Sequence, residues 1–149
     1  MKEIILSGNL IINNQKEIYL LFRKKHHFYE TPGGKVKPEE CSHQYPTRQE
    51  LQTTAQRELL EEVKGIEEIS SMEYFAKVKL HLPDGRKAIA HKFITKVKGF
   101  LSPQEDIFDQ KKSGYLPLSH LENYPLSPDL KLLLPKIKKY FSMGIKKDI

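Results

Sequence analysis

The chain reads as one mixed α+β domain, built from strands paired in hairpins and two helices rather than from regular strand–helix–strand repeats. Three observations predict this. Apolar, β-branched runs flank short turn sequences at residues 3–24 and again at 72–99. Two stretches, 47–64 and 129–141, carry apolar residues at helical spacing. The 149 residues, 38% of them hydrophobic, suffice for one domain with a real core, and no second-domain boundary or internal repeat interrupts them.

Taken in order, "EIILSGNLII" and "EIYLLFRK" are strands joined by the turn residues "NNQK". "TPGGKVKPEE" is a Pro/Gly segment expected to be irregular. "CSHQYPTRQ" is a polar loop. A helix starts near Thr47 or Glu50 and runs to Val63 or Lys64, with Gly65 placed to stop it. "MEYFAKVKLHL" and "KAIAHKFITKVKG" are strands of a hairpin turned by "PDGR". In the second, Ala88, Ala90 and Lys92 share one face, and Ile89, His91 and Phe93 the other. "LSPQEDIFDQKKSG" is an acidic loop. "YLPLSHLENYPLSP" gives a short strand and a helical turn, and "DLKLLLPKIKKYF" closes the chain as a helix containing Pro135.

No run approaches the ~18–20 apolar residues of a membrane span, and "MKEIILSGNLIINNQKE" lacks the pattern of a secretion signal. The single Cys41 forms no internal disulfide, so a cytoplasmic location is expected. The net charge of +6 suits an anionic partner, but much of it lies in the C-terminal "PKIKKYFSMGIKKDI" and no nucleic-acid motif accompanies it. A nucleic-acid partner is therefore not expected, and a homodimer is left open.

The chemistry concentrates in "TAQRELLEEVKG", residues 54–65. On a helix turning ~100° per residue, Glu58, Glu61 and Glu62 fall within an arc of roughly 100°, while Ala55, Leu59, Leu60 and Val63 occupy the neighbouring arc and face a core. Like charges at these spacings repel by roughly 0.2–0.5 kcal/mol per pair. They also lie towards the helix C-terminus, where the dipole disfavours anions. Arg57 reaches one of them. Either the face is an ordinary charged surface paired with lysines, or it holds a divalent cation. Hard oxygen ligands suit Mg²⁺, with Mn²⁺ as the alternative.

The acidic helix follows "TPGGKVKPEE", and the combination resembles the Nudix (MutT-like) hydrolase family. That signature is a Gly, five residues, a Glu, about seven residues, then Arg-Glu-apolar-any-Glu-Glu-any-Gly-apolar. Gly34, "KVKPE" and Glu40 match its first part, and "RELLEE", Arg57 to Glu62, its second. The loop between them carries about nine extra residues around Cys41–Gln49, and one residue is inserted before Gly65, which a lengthened final helical turn is expected to absorb.

The resemblance implies an α/β/α sandwich around a mixed sheet and cleavage of the pyrophosphate bond of a nucleoside diphosphate linked to another group. ADP-ribose, a nucleotide sugar or a (deoxy)nucleoside triphosphate all qualify as substrate. It implies Glu58, Glu61 and Glu62 as metal ligands, joined by the Gly33 carbonyl, and Arg57 as the residue that orients the glutamates. The general base is Glu58 or a carboxylate of a distant loop. Glu105 is preferred there over Asp106 and Asp109. Arg23 at the end of the second strand, with Gly34 and Lys35, are the expected substrate contacts. A catalytically silent nucleotide-binding module of the same fold is the alternative; the presence of all three glutamates argues against it.

Overall fold

The structure, a computed structural model, describes residues 3–147. Strand β1 (Ile4–Ile12) is the hub of the sheet. It pairs antiparallel with β2 (Glu17–Arg23) across a tight turn, antiparallel with β4 (Gly33–Lys35), and parallel with β6 (Lys87–Pro103). β3 (Phe28–Glu30) and β7 (Gly114–Pro117) pair with β2, and β5 (Val63–His81) pairs with β6 along its length. The result is a mixed seven-stranded sheet ordered β3-β2-β1-β6-β5, with β4 and β7 beside β1 and β2.

Helices α1 (Arg48–Glu62) and α2 (Pro128–Lys147) cover opposite faces. The alternation of side chains along β1 divides the core between them. Leu10 and Ile12 pack with Leu130, Leu133 and Ile137 of α2. Ile11 packs with Tyr19, Leu59, Val63 and Phe108 on the α1 side. The expected α/β/α sandwich is therefore present. No helix among the described residues is long and apolar enough to cross a membrane.

Several expectations need correction. The Pro/Gly segment is more regular than its composition suggests: Gly33–Lys35 is β4, and Pro38–Glu40 is a turn of 3-10 helix. β4 forms because Gly33 lies so close to β1 that a Cβ there would come within 2.5 Å of Gly8 Cα. β5 starts at Val63 rather than Met72, and β6 continues through Leu101–Pro103, which had been assigned to the acidic loop.

Gly65 does not end α1, and no lengthened helical turn absorbs the extra residue. The helix stops at Glu62, and Val63 is already extended. Gly65 sits instead within β5, where the β5–β6 register shifts between Lys64 and Ile66. It has φ +91 and faces Gly99, φ +130. A Cβ on Gly65 would meet Phe100 O at 1.9 Å, and one on Gly99 would meet Gly65 O at 1.9 Å. The insertion is thus accommodated in a strand bulge that two glycines make room for.

Leu60 is not in the core; it is 52% exposed. Measured from Leu59 at ~100° per residue, Leu51, Glu62, Ala55 and Val63 all lie within roughly 80° of it, whereas Leu60 is about 100° away on the far side. The same geometry buries Glu62 among them.

Candidate active site

Helix α1 is fixed at its start by a reciprocal cap. Thr47 Oγ1 accepts from Glu50 N at 3.1 Å, and Glu50 Oε1 accepts from Thr47 N at 2.9 Å. Glu50 Oε2 also accepts from Ser42 N at 2.9 Å, so the inserted loop is tied to this end of the helix. The glutamates lie at the other end, where α1 meets the glycine strand.

Arg57 organises them. Its guanidinium donates twice to Glu40, from Nε at 2.7 Å and from Nη2 at 2.9 Å. Its Nη1 donates to Glu58 at 2.8 Å and to Glu61 at 3.0 Å, and Nη2 reaches the Lys35 carbonyl at 3.1 Å. One planar fork therefore joins the 3-10 turn, β4 and α1. Glu40, displaced in sequence by the insertion, is the fork's main partner; the Arg57 guanidinium holds its carboxyl down at about 2.

The three helix glutamates differ in environment. Glu61 is half exposed and held by Arg57. Glu58 is nearly buried, with its carboxyl lying flat on β4: a Cβ on Gly34 would come within 2.4 Å of Glu58 Cδ. Gly34→Ala is therefore expected to push Glu58 aside. The chain should stay folded, with unchanged far-UV circular dichroism, while metal-dependent turnover falls about a hundredfold, a loss attributable to ~1 Å misplacement of a reacting group.

Glu62 is 5% exposed. The one hydrogen bond to its carboxyl among the described residues comes from Gly33 N at 2.8 Å. Burial pushes its carboxyl up to about 8; the Gly33 N–H opposes the rise, and the charges of Glu58, Glu30 and Glu105 add to it. Arg23 is the basic side chain that feels its charge, and that guanidinium is already paired with Glu30. A buried carboxylate crowded by three other carboxylates is a place for a cation.

Among the described residues no three His, Cys, Asp or Glu side chains converge into a ready-made metal cage. The donor set nevertheless fits Mg²⁺, which takes one or two carboxylates and completes its shell with water and substrate phosphate. Glu58 and Glu62 are the two carboxylates brought against the glycine strand.

Glu105 follows β6 on an exposed loop whose start is pinned to the helix by the Gln104 N to Glu62 O bond at 2.8 Å. That bond brings the loop to the buried end of α1, close enough for Glu105 to act electrostatically on both Glu62 and Arg23. Asp109 instead caps its own turn, accepting from Lys111 N and Lys112 N at 2.9 and 3.0 Å.

A cleft of about 390 Å³ opens beside these groups. Arg23, Gly34 and Lys35 all line it. Arg23 is not a free cation, because Glu30 accepts from its Nε at 2.5 Å and its Nη2 at 2.9 Å. The start of α2 and the β5–β6 hairpin also line the cleft.

Two cleft residues escaped the sequence reading. Lys92, 5% exposed, and Asp129 form an ion pair at 2.8 Å. The signal for Lys92 was present: it shares a strand face with Ala88 and Ala90, and a lysine on an inward face requires a partner. Asp129 reads in sequence only as an acid in the first turn of a helix.

The NUDIX domain family model matches residues 7–137. No curated protein matches the sequence. The fold is shared with a MutT protein from Methanosarcina mazei Go1, at 19% identity and TM-score 0.71, covering 94% of this chain and 97% of that one. A NUDIX hydrolase from Nitrosomonas europaea aligns at 14% identity and TM-score 0.69, covering 95% and 90%. A C. elegans Ap4A hydrolase aligns at 16% identity and TM-score 0.66, covering 93% and 98%. A sequence match over nearly the whole domain, on a glycine strand and acidic helix joined by one arginine, means that the chain belongs to the Nudix family.

Proposed function

We propose that this protein is a Mg²⁺-dependent pyrophosphohydrolase that cleaves the phosphoanhydride bond of a nucleoside diphosphate linked to another group. The observation that carries this reading is Glu62, a carboxylate buried beside Glu58 at the glycine strand whose one side-chain hydrogen bond among the described residues is from Gly33 N. Nudix hydrolases as a family use divalent metal ions and act on small nucleotide substrates. ADP-ribose, nucleotide sugars and (deoxy)nucleoside triphosphates are the candidate substrates.

Glu58 and Glu62 would hold the metal, with the Gly33 carbonyl and Glu61 completing the protein's share. When bound, the ion neutralises the diphosphate and lowers the pKa of the attacking water. The protein's own residues set the geometry. Arg57 keeps Glu58 and Glu61 in register with Glu40. Gly34 lets the Glu58 carboxyl approach the backbone. Glu105, or Glu58 itself, takes the proton from water. Lys35 and Arg23 face the cleft as substrate contacts, with Arg23 held in place by Glu30.

The test is release of phosphate or nucleoside monophosphate from ADP-ribose, nucleotide sugars, nucleoside triphosphates including oxidised dGTP, and diadenosine polyphosphates. Each is assayed with Mg²⁺, with Mn²⁺ and with EDTA. Metal-dependent release from any member is the expected result. Silence across the panel from folded protein would favour a nucleotide-binding module without turnover.

A further inference from the structure

The Lys92–Asp129 pair lines the same cleft as Gly33, Gly34 and Lys35 of the glycine strand. Gly8 of β1 is the register partner of both Gly33 and Lys92, and a Cβ on Gly8 would come within 3.2 Å of Lys92 Nζ. The ammonium thus rests on bare backbone. Lys92 Nζ donates to Thr31 Oγ1 at 2.6 Å and to Asp129 Oδ2 at 2.8 Å. Asp129 Oδ1 accepts from Ser127 Oγ at 2.7 Å.

A count of bonding capacity shows what remains. An ammonium has three N–H donors, and two are engaged. The Asp129 carboxylate has four lone-pair sites, and Lys92, Ser127 and the Leu130 N–H engage three of them. One charged donor therefore remains beside one free acceptor site, on a pair that lines the cleft together with Thr31 and Ser127. A buried ion pair adds little net stability over well-packed apolar side chains. Its placement on a cleft wall, rather than in the core, points to recognition.

We propose that Lys92 and Asp129 select the base of the substrate, preferring a ring carbonyl beside a ring N–H, as in guanine, hypoxanthine, uracil and thymine, over the amino edge of adenine or cytosine. The inference rests on the proposed nucleotide substrate. With the phosphate end of the nucleotide directed to Lys35 and the glycine strand, the ring cannot turn over freely. In the pose where Lys92 donates to the ring carbonyl and Asp129 accepts from the ring N–H, an amino base sets its NH₂ against the ammonium and its ring nitrogen lone pair against the carboxylate. Both contacts become repulsive, and unpaired polar groups in a recognition site discriminate strongly. Leu6, Phe28, Leu80, Leu82 and Pro83 give the cleft apolar lining for the ring faces.

The experiment is calorimetric titration of the full chain with GMP, UMP, AMP and CMP in EDTA, which needs neither metal nor turnover. GMP and UMP are expected to bind about tenfold or more tightly than AMP and CMP. Asp129→Asn should bring the four to within about threefold, by weakening GMP and UMP. Should that variant fail to fold, Lys92→Gln supplies the same comparison. Equal affinities in the wild-type chain, a preference for AMP and CMP, or no measurable binding of any of the four would each overturn the inference. Metal-dependent hydrolysis without base preference would also overturn it, and would leave the pyrophosphohydrolase reading standing. Ranked binding without hydrolysis would do the reverse.

Discussion

Glu62→Gln is expected to abolish metal-dependent turnover, by about a thousandfold or more, and at the same time to stabilise the metal-free protein at alkaline pH. The glutamine keeps an acceptor for the Gly33 N–H and removes a charge that burial disfavours. Glu62 has its carboxyl raised from the ordinary 4.5 to about 8, so the folded chain holds a proton that the unfolded chain releases. Its contribution to stability is complete below about 4.5 and is lost as pH rises towards and through about 8. In EDTA the wild type should therefore lose melting temperature across that window more steeply than Glu62→Gln. Near pH 7, binding of Mg²⁺ should release about one proton, read from titrations in buffers of different ionisation heat. Preserved turnover in a folded Glu62→Gln protein would remove Glu62 from the site.

Arg57→Lys is expected to cost about a hundredfold in kcat, although the charge is kept. A lysine has one nitrogen to place, whereas the guanidinium makes contacts to Glu40, Glu58, Glu61 and the Lys35 carbonyl at once. Arg57→Met goes further and leaves Glu40, only 10% exposed, without its partner, at a loss of about 2 kcal/mol measured by denaturant unfolding. Adding Glu40→Gln to Arg57→Met should recover most of that stability and none of the activity. Recovery of activity as well would mean that Arg57 only shields Glu40 and does not position Glu58.

Much of this arrangement was legible in the sequence because it is local. Glu58, Glu61 and Glu62 share one helix, so spacing alone sets their relative directions. Thr47 and Glu50 likewise announce the start of α1. What spacing could not give was the surroundings. Glu62 is buried and Glu61 exposed, although they are neighbours, because only one of them turns under the arc that meets the sheet. The partnership of Glu40 with Arg57 spans the insertion, and closing a loop of that length leaves no trace in composition. The Lys92–Asp129 pair joins β6 to α2 across the sheet, which no local pattern encodes. Gly65 was misjudged for a related reason: a glycine after a helix usually caps it, and the demand of β6 on the opposite strand was invisible.

The Gly65–Gly99 contact also limits how this chain can change over evolutionary time. A side chain at Gly99 would strike the Gly65 carbonyl and one at Gly65 the carbonyl of Phe100, next to Gly99, so replacement of either, or of both in turn, passes through a backbone clash. The extra residue just beyond the acidic helix is consequently difficult to remove by stepwise substitution. Lineages that carry it should keep both glycines together, and those that have lost it should have lost both, making the pair an inherited marker of this branch of the fold.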